Sequence, residues 1–326
     1  NRELFSKLKN VQIHYYEQDN AVNERRSKTS LLRSLKPDVI HVCGLGWRNS
    51  LNPNKHPDSL CIMDHVELES SLNNTNSVRC YLQKLLENWS FRSYDASVAA
   101  SKYLEFYIRI VNFRKNIKRP ILYLPYAYDS SYILRPSDDQ MSSIKNVYDN
   151  RKIITYMGGL YPNYGCSELV SALQSLKKAR TDWAAVLLGN GPLKEKLSSI
   201  ADNELKDYLF LPGYMKGEEL NAFLFSSHVL VSPLFNTVTD WARCPSKTYM
   251  YLATKRPILT APIGENKEAL GNSAFYYNPE SEPSLISALN HVLDISDNWN
   301  PGYSVEDHTW QARSKIYADW LTHTTG

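Results

Sequence analysis

The sequence predicts a two-domain α/β protein built on parallel sheets, and three observations predict it. Apolar runs of strand length alternate with amphipathic helical stretches along almost the whole chain. The runs fall into two groups separated by a polar stretch, PSDDQMSSIKNVYDNR, at 136–151. A length of 326 residues exceeds the usual size of one domain, and 43% hydrophobic against 22% charged residues supports two sizeable cores. The expected division is a first domain at 1–135, a linker at 136–150, a second domain at 151–304 and a closing segment at 305–326.

In the first half, a strand at 11–16 precedes a helix at 22–35 with Leu31, Leu32 and Leu35 on one face, ended by Lys36-Pro37-Asp38. VIHVCG at 39–44 and LCIM at 60–63 are the next buried strands. The helix at 77–94 carries Leu82, Leu85, Leu86 and Trp89 at helical spacing as a core face. A short strand at 95–101, a helix at 102–111 and the strand ILYLPYAY at 121–128 complete this half. In the second half, strands at 153–157, 183–188, 209–211, 229–231, 257–260 and 274–277 alternate with helices at 167–178, at 218–225, from Pro245, at 282–293 and from His308.

The stretch at 233–262 concentrates the chemistry. Pro245 suits the first position of a helix, and Ser246, Lys247 and Thr248 follow with backbone N–H groups that lack intrahelical partners. The preceding loop holds Asp240 and Arg243. Free amides, a Lys and an Arg suit a diphosphate without a metal ion. Spacing alone leaves a capped surface helix with solvated charges equally open. Gly158 and Gly159 follow the 153–157 strand, where backbone without Cβ atoms approaches a phosphate closely. In the first domain, Gly44-Leu45-Gly46-Trp47 and Asp64-His65-Val66-Glu67 each stand at the C-terminal end of a strand, where open α/β sheets place ligands. His65 there reads either as a group that orients a hydroxyl or as a histidine satisfying a loop carbonyl.

Other classes are disfavoured. A net charge of +3 and a pI near 8.4 do not support nucleic-acid binding, whereas Arg114, Lys115, Lys118 and Arg119 form a local basic cluster suited to a solvated loop or a membrane surface. The five cysteines lack CxxC spacing, so neither a zinc site nor a disulfide framework is expected, and a reducing cytoplasm fits. No apolar run is long enough to span a membrane. Asn73-Asn74-Thr75 and Asn88-Trp89-Ser90 match the glycosylation pattern by chance on this reading.

The run PSKTYMYLATKRPILTAPIGE at 245–265 resembles the donor-binding segment of GT-B glycosyltransferases, in particular the retaining family 4 pattern P-S-K-x-x-E-Y-L-A-x-G-x-P. KPDVIHVCG at 36–44, DASVAAS at 95–101 and GNGP at 189–192 resemble further elements of that family in the same order. The resemblance implies two Rossmann-like domains facing across a cleft and a C-terminal helix crossing back to the first domain. It also implies a strand and glycine turn ahead of 11–16, which this sequence does not display.

The activity implied is metal-independent transfer of a sugar, with retention, from a UDP- or GDP-sugar to a glycan or lipid-linked acceptor, at or near a membrane surface and without a cofactor. Implied donor contacts are Gly158, Gly159, Gly189, Tyr214, Arg243, Ser246, Lys247 and Thr248; Trp47 and Glu67 face the acceptor, and His65, Asp64 and Asp240 are the catalytic candidates. Departures from the pattern are equally specific. Gly159 and Tyr164 stand where the family has a diphosphate-binding Arg and Lys, and Ala242 and Met250 where it has two glutamates. A catalytically degenerate binding subunit is therefore the alternative reading, with Arg243 and Lys247 as replacements for the missing cations on the enzyme reading.

Overall fold

The computed structural model describes residues 10–14, 20–44, 51–72, 77–302 and 304–325. Trp47, Gly46 and the Asn73-Asn74-Thr75 motif lie outside these residues. The strand expected at 11–16 is not seen over 11–14, and the rest of it is likewise outside the described residues.

The first domain comprises α1 (Ala21–Leu35), β1 (Val39–Cys43), β2 (Leu60–His65), α2 (Ser77–Ser93), β3 (Ala96–Ala99), α3 (Lys102–Phe113) and β4 (Ile121–Tyr123). Its strands form a parallel sheet in the order β1-β2-β3-β4. The strand expected to run to 128 stops at Tyr123. Pro125 has no N–H to donate, and the Tyr126 N–H turns instead to Cys244 Sγ at 3.3 Å. Leu86 and Trp89 of α2 pack on the core as expected. Leu82 and Leu85 do not; they are solvent-exposed together with Val78 and Tyr81.

The polar stretch between the domains holds a helix, α4 (Asp138–Val147). Ser137 accepts the Gln140 N–H, and the Gln140 side chain returns to the Ser137 N–H. Met141 and the following Tyr148 bury against the second domain.

That domain runs β5 (Lys152–Met157), α5 (Cys166–Leu176), β6 (Trp183–Leu188), α6 (Lys194–Asn203), β7 (Leu209–Gly213), α7 (Gly217–Ser226), β8 (Val229–Ser232), α8 (Val238–Ala242), α9 (Ser246–Thr254), β9 (Ile258–Thr260), α10 (Gly264–Leu270), β10 (Phe275–Tyr276) and α11 (Glu282–Ile295). Its parallel sheet has the order β10-β9-β8-β5-β6-β7. Side chains alternate across the sheet, as strand geometry requires. Ala185 and Leu187 of β6 face a core shared with α5 and α11, while Ala184, Val186 and Leu188 face one shared with α7 and α9. Both faces are covered, which is why β6 reads as an unbroken apolar run.

The closing helix, α12 (Trp310–Thr325), returns to the first domain, where Tyr317, Trp320 and Leu321 pack on Ile62, Ala96 and Val98. This is the arrangement the resemblance implied.

The two domains meet over a polar seam. The Ser101 hydroxyl donates to the Ala242 carbonyl at 2.7 Å, and Thr239 donates to the Ser71 carbonyl at 3.0 Å. Glu265 Oε1 accepts the hydroxyls of Tyr123 at 2.6 Å and of Tyr249 at 2.8 Å, and Oε2 takes the Lys102 N–H at 3.4 Å. Burial raises the Glu265 carboxyl to about 7, against the lowering effect of these donors.

Candidate active site

Strand β8 ends at Ser232, and the chain from Pro233 to Pro245 crosses the mouth of the cleft before α9 begins. The sequence reads as a charged loop here, but part of it is the short helix α8. Asp240 shapes this segment. Its carboxylate accepts the Phe235 N–H at 2.5 Å and pairs with Arg243 Nε at 3.0 Å, and its own N–H is capped by Thr237 Oγ1 at 3.3 Å. The side chain is 2% exposed. A carboxylate so occupied holds Arg243 in place and lines neither of the cavities described next, so its geometry is that of a support rather than of a group touching a sugar.

Arg243 and Lys247 both border a cavity of about 300 Å³. Each rests on an aromatic face. The Arg243 guanidinium lies 5.1 Å from the Tyr164 ring centroid, and the Lys247 ammonium 4.3 Å from that of Tyr156. Among the described residues no carboxylate pairs with Lys247, and burial, reinforced by the charge of Arg243, lowers its ammonium to about 8. No side chain caps the start of α9 at Ser246. Gly158 and Gly159 form the opposite wall, with Glu67 and Tyr126 closing the first-domain side.

A second cavity of about 430 Å³ shares Met157, Gly158 and Gly159 with the first and continues to Gly189, Tyr214 and Met250. A Cβ on Gly189 would fall 1.8 Å from the Gly158 carbonyl oxygen, so the two turns pass each other only because Gly189 has no side chain.

The fold thus gathers Gly158, Gly159, Gly189, Tyr214, Arg243, Ser246, Lys247 and Glu67 around two cavities that share a wall. Other residues singled out in the sequence lie elsewhere. Thr248 is buried in the domain interior, its hydroxyl donating to Asn266 Oδ1 at 2.7 Å and its N–H bonding to the Pro245 carbonyl at 3.1 Å. His65 is 2% exposed and packs on Phe91 with ring centroids 4.8 Å apart. Burial lowers its pKa to about 3, which keeps the imidazole neutral. It lines neither cavity, because β2 continues to His65 and points its side chain into the core.

Asp64, the next residue back, faces the other way, half-buried beside His41 and Cys43, with its carboxyl raised by burial to about 6. Tyr126, Tyr156 and the supporting role of Tyr164 were missed in the sequence. Only the wealth of tyrosine, 22 residues, hinted at them.

Residues 151–294 match the family model described as Glycosyl transferases group 1. The matched stretch spans most of the second domain. Both cavities are lined mainly by residues of this domain. The whole chain has the GT-B fold, as its similarity to solved structures shows.

Sucrose-phosphate synthase from Thermosynechococcus elongatus superposes with a TM-score of 0.71 at 13% identity, covering 95% of this chain and 81% of that one. HepE from Anabaena, solved in complex with UDP, gives 0.67 at 12% identity over 92% of this chain and 82% of that one. The catalytic domain of starch synthase IV from Arabidopsis thaliana, bound to ADP and acarbose, gives 0.66 at 12% identity over 95% and 78%. No curated protein matches the sequence. Among the described residues no helix is long and apolar enough to cross a membrane.

Proposed function

We propose that this protein transfers a sugar from a nucleotide-diphosphate donor, a UDP- or GDP-sugar, to a glycan or lipid-linked acceptor. The observation that carries the reading is the convergence of Arg243 and Lys247 on a cavity walled by Gly158 and Gly159, which also line a second cavity. Two cations and the start of α9 suit the diphosphate; the second cavity, with Tyr214 at its rim, suits the nucleoside. HepE, with the same fold, has been solved with UDP-glucose, which favours a nucleotide sugar here.

The chemistry asked of the protein is stabilisation of charge that develops on the leaving diphosphate. Preorganised donors perform this at about 3 to 4 kcal/mol per group lost. Arg243 is immobilised by Asp240 and Tyr164, and Lys247 by its place in the first turn of α9 over Tyr156. Neither needs to reorganise as charge appears. Transfer with retention and without a metal follows on this reading, with Glu67 and Tyr126 on the acceptor side of the cavity. Asp240 contributes through Arg243.

Contact with a membrane surface belongs to the same reading. Val78, Tyr81, Leu82 and Leu85 leave an apolar stripe exposed on α2, with Arg79 and Lys84 on the same helix, and a lipid-linked acceptor would bring the enzyme to such a surface. Cosedimentation with anionic vesicles tests this part separately.

The central test is calorimetry of the purified chain against UDP, GDP, ADP and CMP, followed by turnover assays with sugars of whichever nucleotide binds. Saturating one nucleotide a hundredfold above its dissociation constant stabilises the fold by about 2.7 kcal/mol. Binding of none of them sinks the reading and favours the degenerate binding subunit, for which Met250 in the wall of the second cavity is the supporting observation.

A further inference from the structure

On the first domain, His41, Cys43 and Asp64 form a cluster that the proposed transfer does not use. Strand geometry creates it. His41 and Cys43 are two apart on β1 and so share a face, and the parallel register pairs Cys43 with Asp64 on β2. One ligand atom from each of the three residues lies within 4.8 Å of the others. His41 and Cys43 are exposed and Asp64 half-buried, so an ion has an open approach. A fourth residue serves the cluster from α12. The Tyr317 hydroxyl stands 2.8 Å from His41 Nδ1 and holds the ring, and the two rings lie tilted at 32° with centroids 5.4 Å apart.

From this geometry we infer a binding site for a divalent transition metal, with zinc as the best match, whose protein ligands are His41, Cys43 and Asp64. A thiolate, an imidazole and a single carboxylate select zinc over magnesium or calcium, which take oxygen ligands. Two ligand atoms on one tetrahedral zinc ion stand about 3.3 to 3.6 Å apart, so the cluster closes by about 1 Å or somewhat more through side-chain rotation. Binding displaces the thiol proton of Cys43 to solvent and leaves the metal oxidation state unchanged.

Three protein ligands leave the fourth position for water. Tyr317 is the positioning residue, tying the site to the docking of α12 on the first domain. The cysteine pattern of the sequence gave no zinc signal because the ligands come from two strands and no two of them are cysteines.

The test is titration of the intact, reduced chain with Co²⁺ and then Zn²⁺. The expected result is one equivalent of Co²⁺ with a thiolate-to-cobalt charge-transfer band, bleached by Zn²⁺. Cys43→Ser abolishes the band, while Cys80→Ser, which changes the half-buried thiol elsewhere in the domain, retains it. His41→Ala and Asp64→Asn weaken binding, and Tyr317→Phe, which removes only the outer partner of His41, weakens it by about tenfold. Circular dichroism of each variant establishes that it is folded. A wild-type chain without the band, or a band that survives Cys43→Ser, overturns the site. The readout is independent of nucleotide, so failure of the donor reading and failure of this site are distinguishable.

Discussion

The Arg243 guanidinium lies over the Tyr164 ring at 5.1 Å, and Tyr164 occupies the position where the family pattern has a cation of its own. The charge has in effect moved to another segment of the site, with an aromatic face left behind to hold it. Tyr164→Ala therefore weakens nucleotide affinity although Tyr164 carries no charge. A partly desolvated cation–π contact is worth about 1 to 2 kcal/mol, so the expected loss is roughly five- to thirtyfold. Tyr164→Phe retains wild-type affinity. Calorimetry with the preferred nucleotide decides, and equal loss in both variants would mean that the hydroxyl, not the ring face, matters.

Removing either cation acts more directly. Arg243→Ala and Lys247→Ala each lower nucleoside-diphosphate affinity by about ten- to a hundredfold, the worth of a charge-assisted hydrogen bond of about 1.5 to 3 kcal/mol. The corresponding nucleoside, which lacks phosphates, binds all three proteins alike. Unchanged diphosphate affinity in both variants would remove the phosphate site.

Lys247 also sets a pH dependence. Burial and Arg243 lower its ammonium to about 8, so below that pH the free protein presents a cation and above it a neutral amine. Affinity for a diphosphate declines as pH rises through about 8, and Lys247→Ala loses that decline. Isothermal titrations between pH 7 and 9, on the order of half a unit apart, resolve the difference because one such group changes charge over about one unit.

Glu265 predicts the opposite kind of experiment, on stability. Its carboxyl is raised from 4.5 unfolded to about 7 folded. Between these values the folded chain binds more protons than the unfolded one, so stability falls as pH rises across the window. Glu265→Gln, which keeps the size of the side chain and removes its titration, flattens the pH dependence of the melting temperature there. A slope identical to wild type would mean that the tyrosines and the Lys102 amide keep the carboxylate charged.

Gly189 tests the glycine wall. Gly189→Ala places a methyl group 1.8 Å from the Gly158 carbonyl oxygen, a clash that backbone must relieve. The expected result is a lower melting temperature with nucleotide affinity lost more than tenfold, since Gly158 lines both cavities. Wild-type values of both would show that the two turns have room to part.

Periodicity made much of the fold legible. Runs such as WAAVLL at β6 and VLVS at β8 are buried on both sides and had to be central parallel strands, and α5 announces its buried face through Leu169, Leu173 and Leu176. The cavity-lining residues Gly158, Arg243 and Lys247 were also readable, because a glycine after a strand and cations around a helix start have a physical meaning before any folding. Side-chain direction at the ends of β2 and α9 was not. His65 and Asp64 are neighbours in sequence, yet one enters the core against Phe91 and the other faces His41 and Cys43. Thr248 turned inward to Asn266 in the same way.

What the amino-acid sequence determined by itself is the order of strands and helices and the positions where backbone can approach a ligand, since these depend on local period and on glycine and proline. Tertiary structure alone decided which charges are free. Asp240 is consumed by Arg243 and the Phe235 amide, whereas Lys247 keeps its charge unpaired over Tyr156. That outcome depends on partners brought together from distant segments, and a buried charge is settled by what surrounds it, not by its neighbours in the chain.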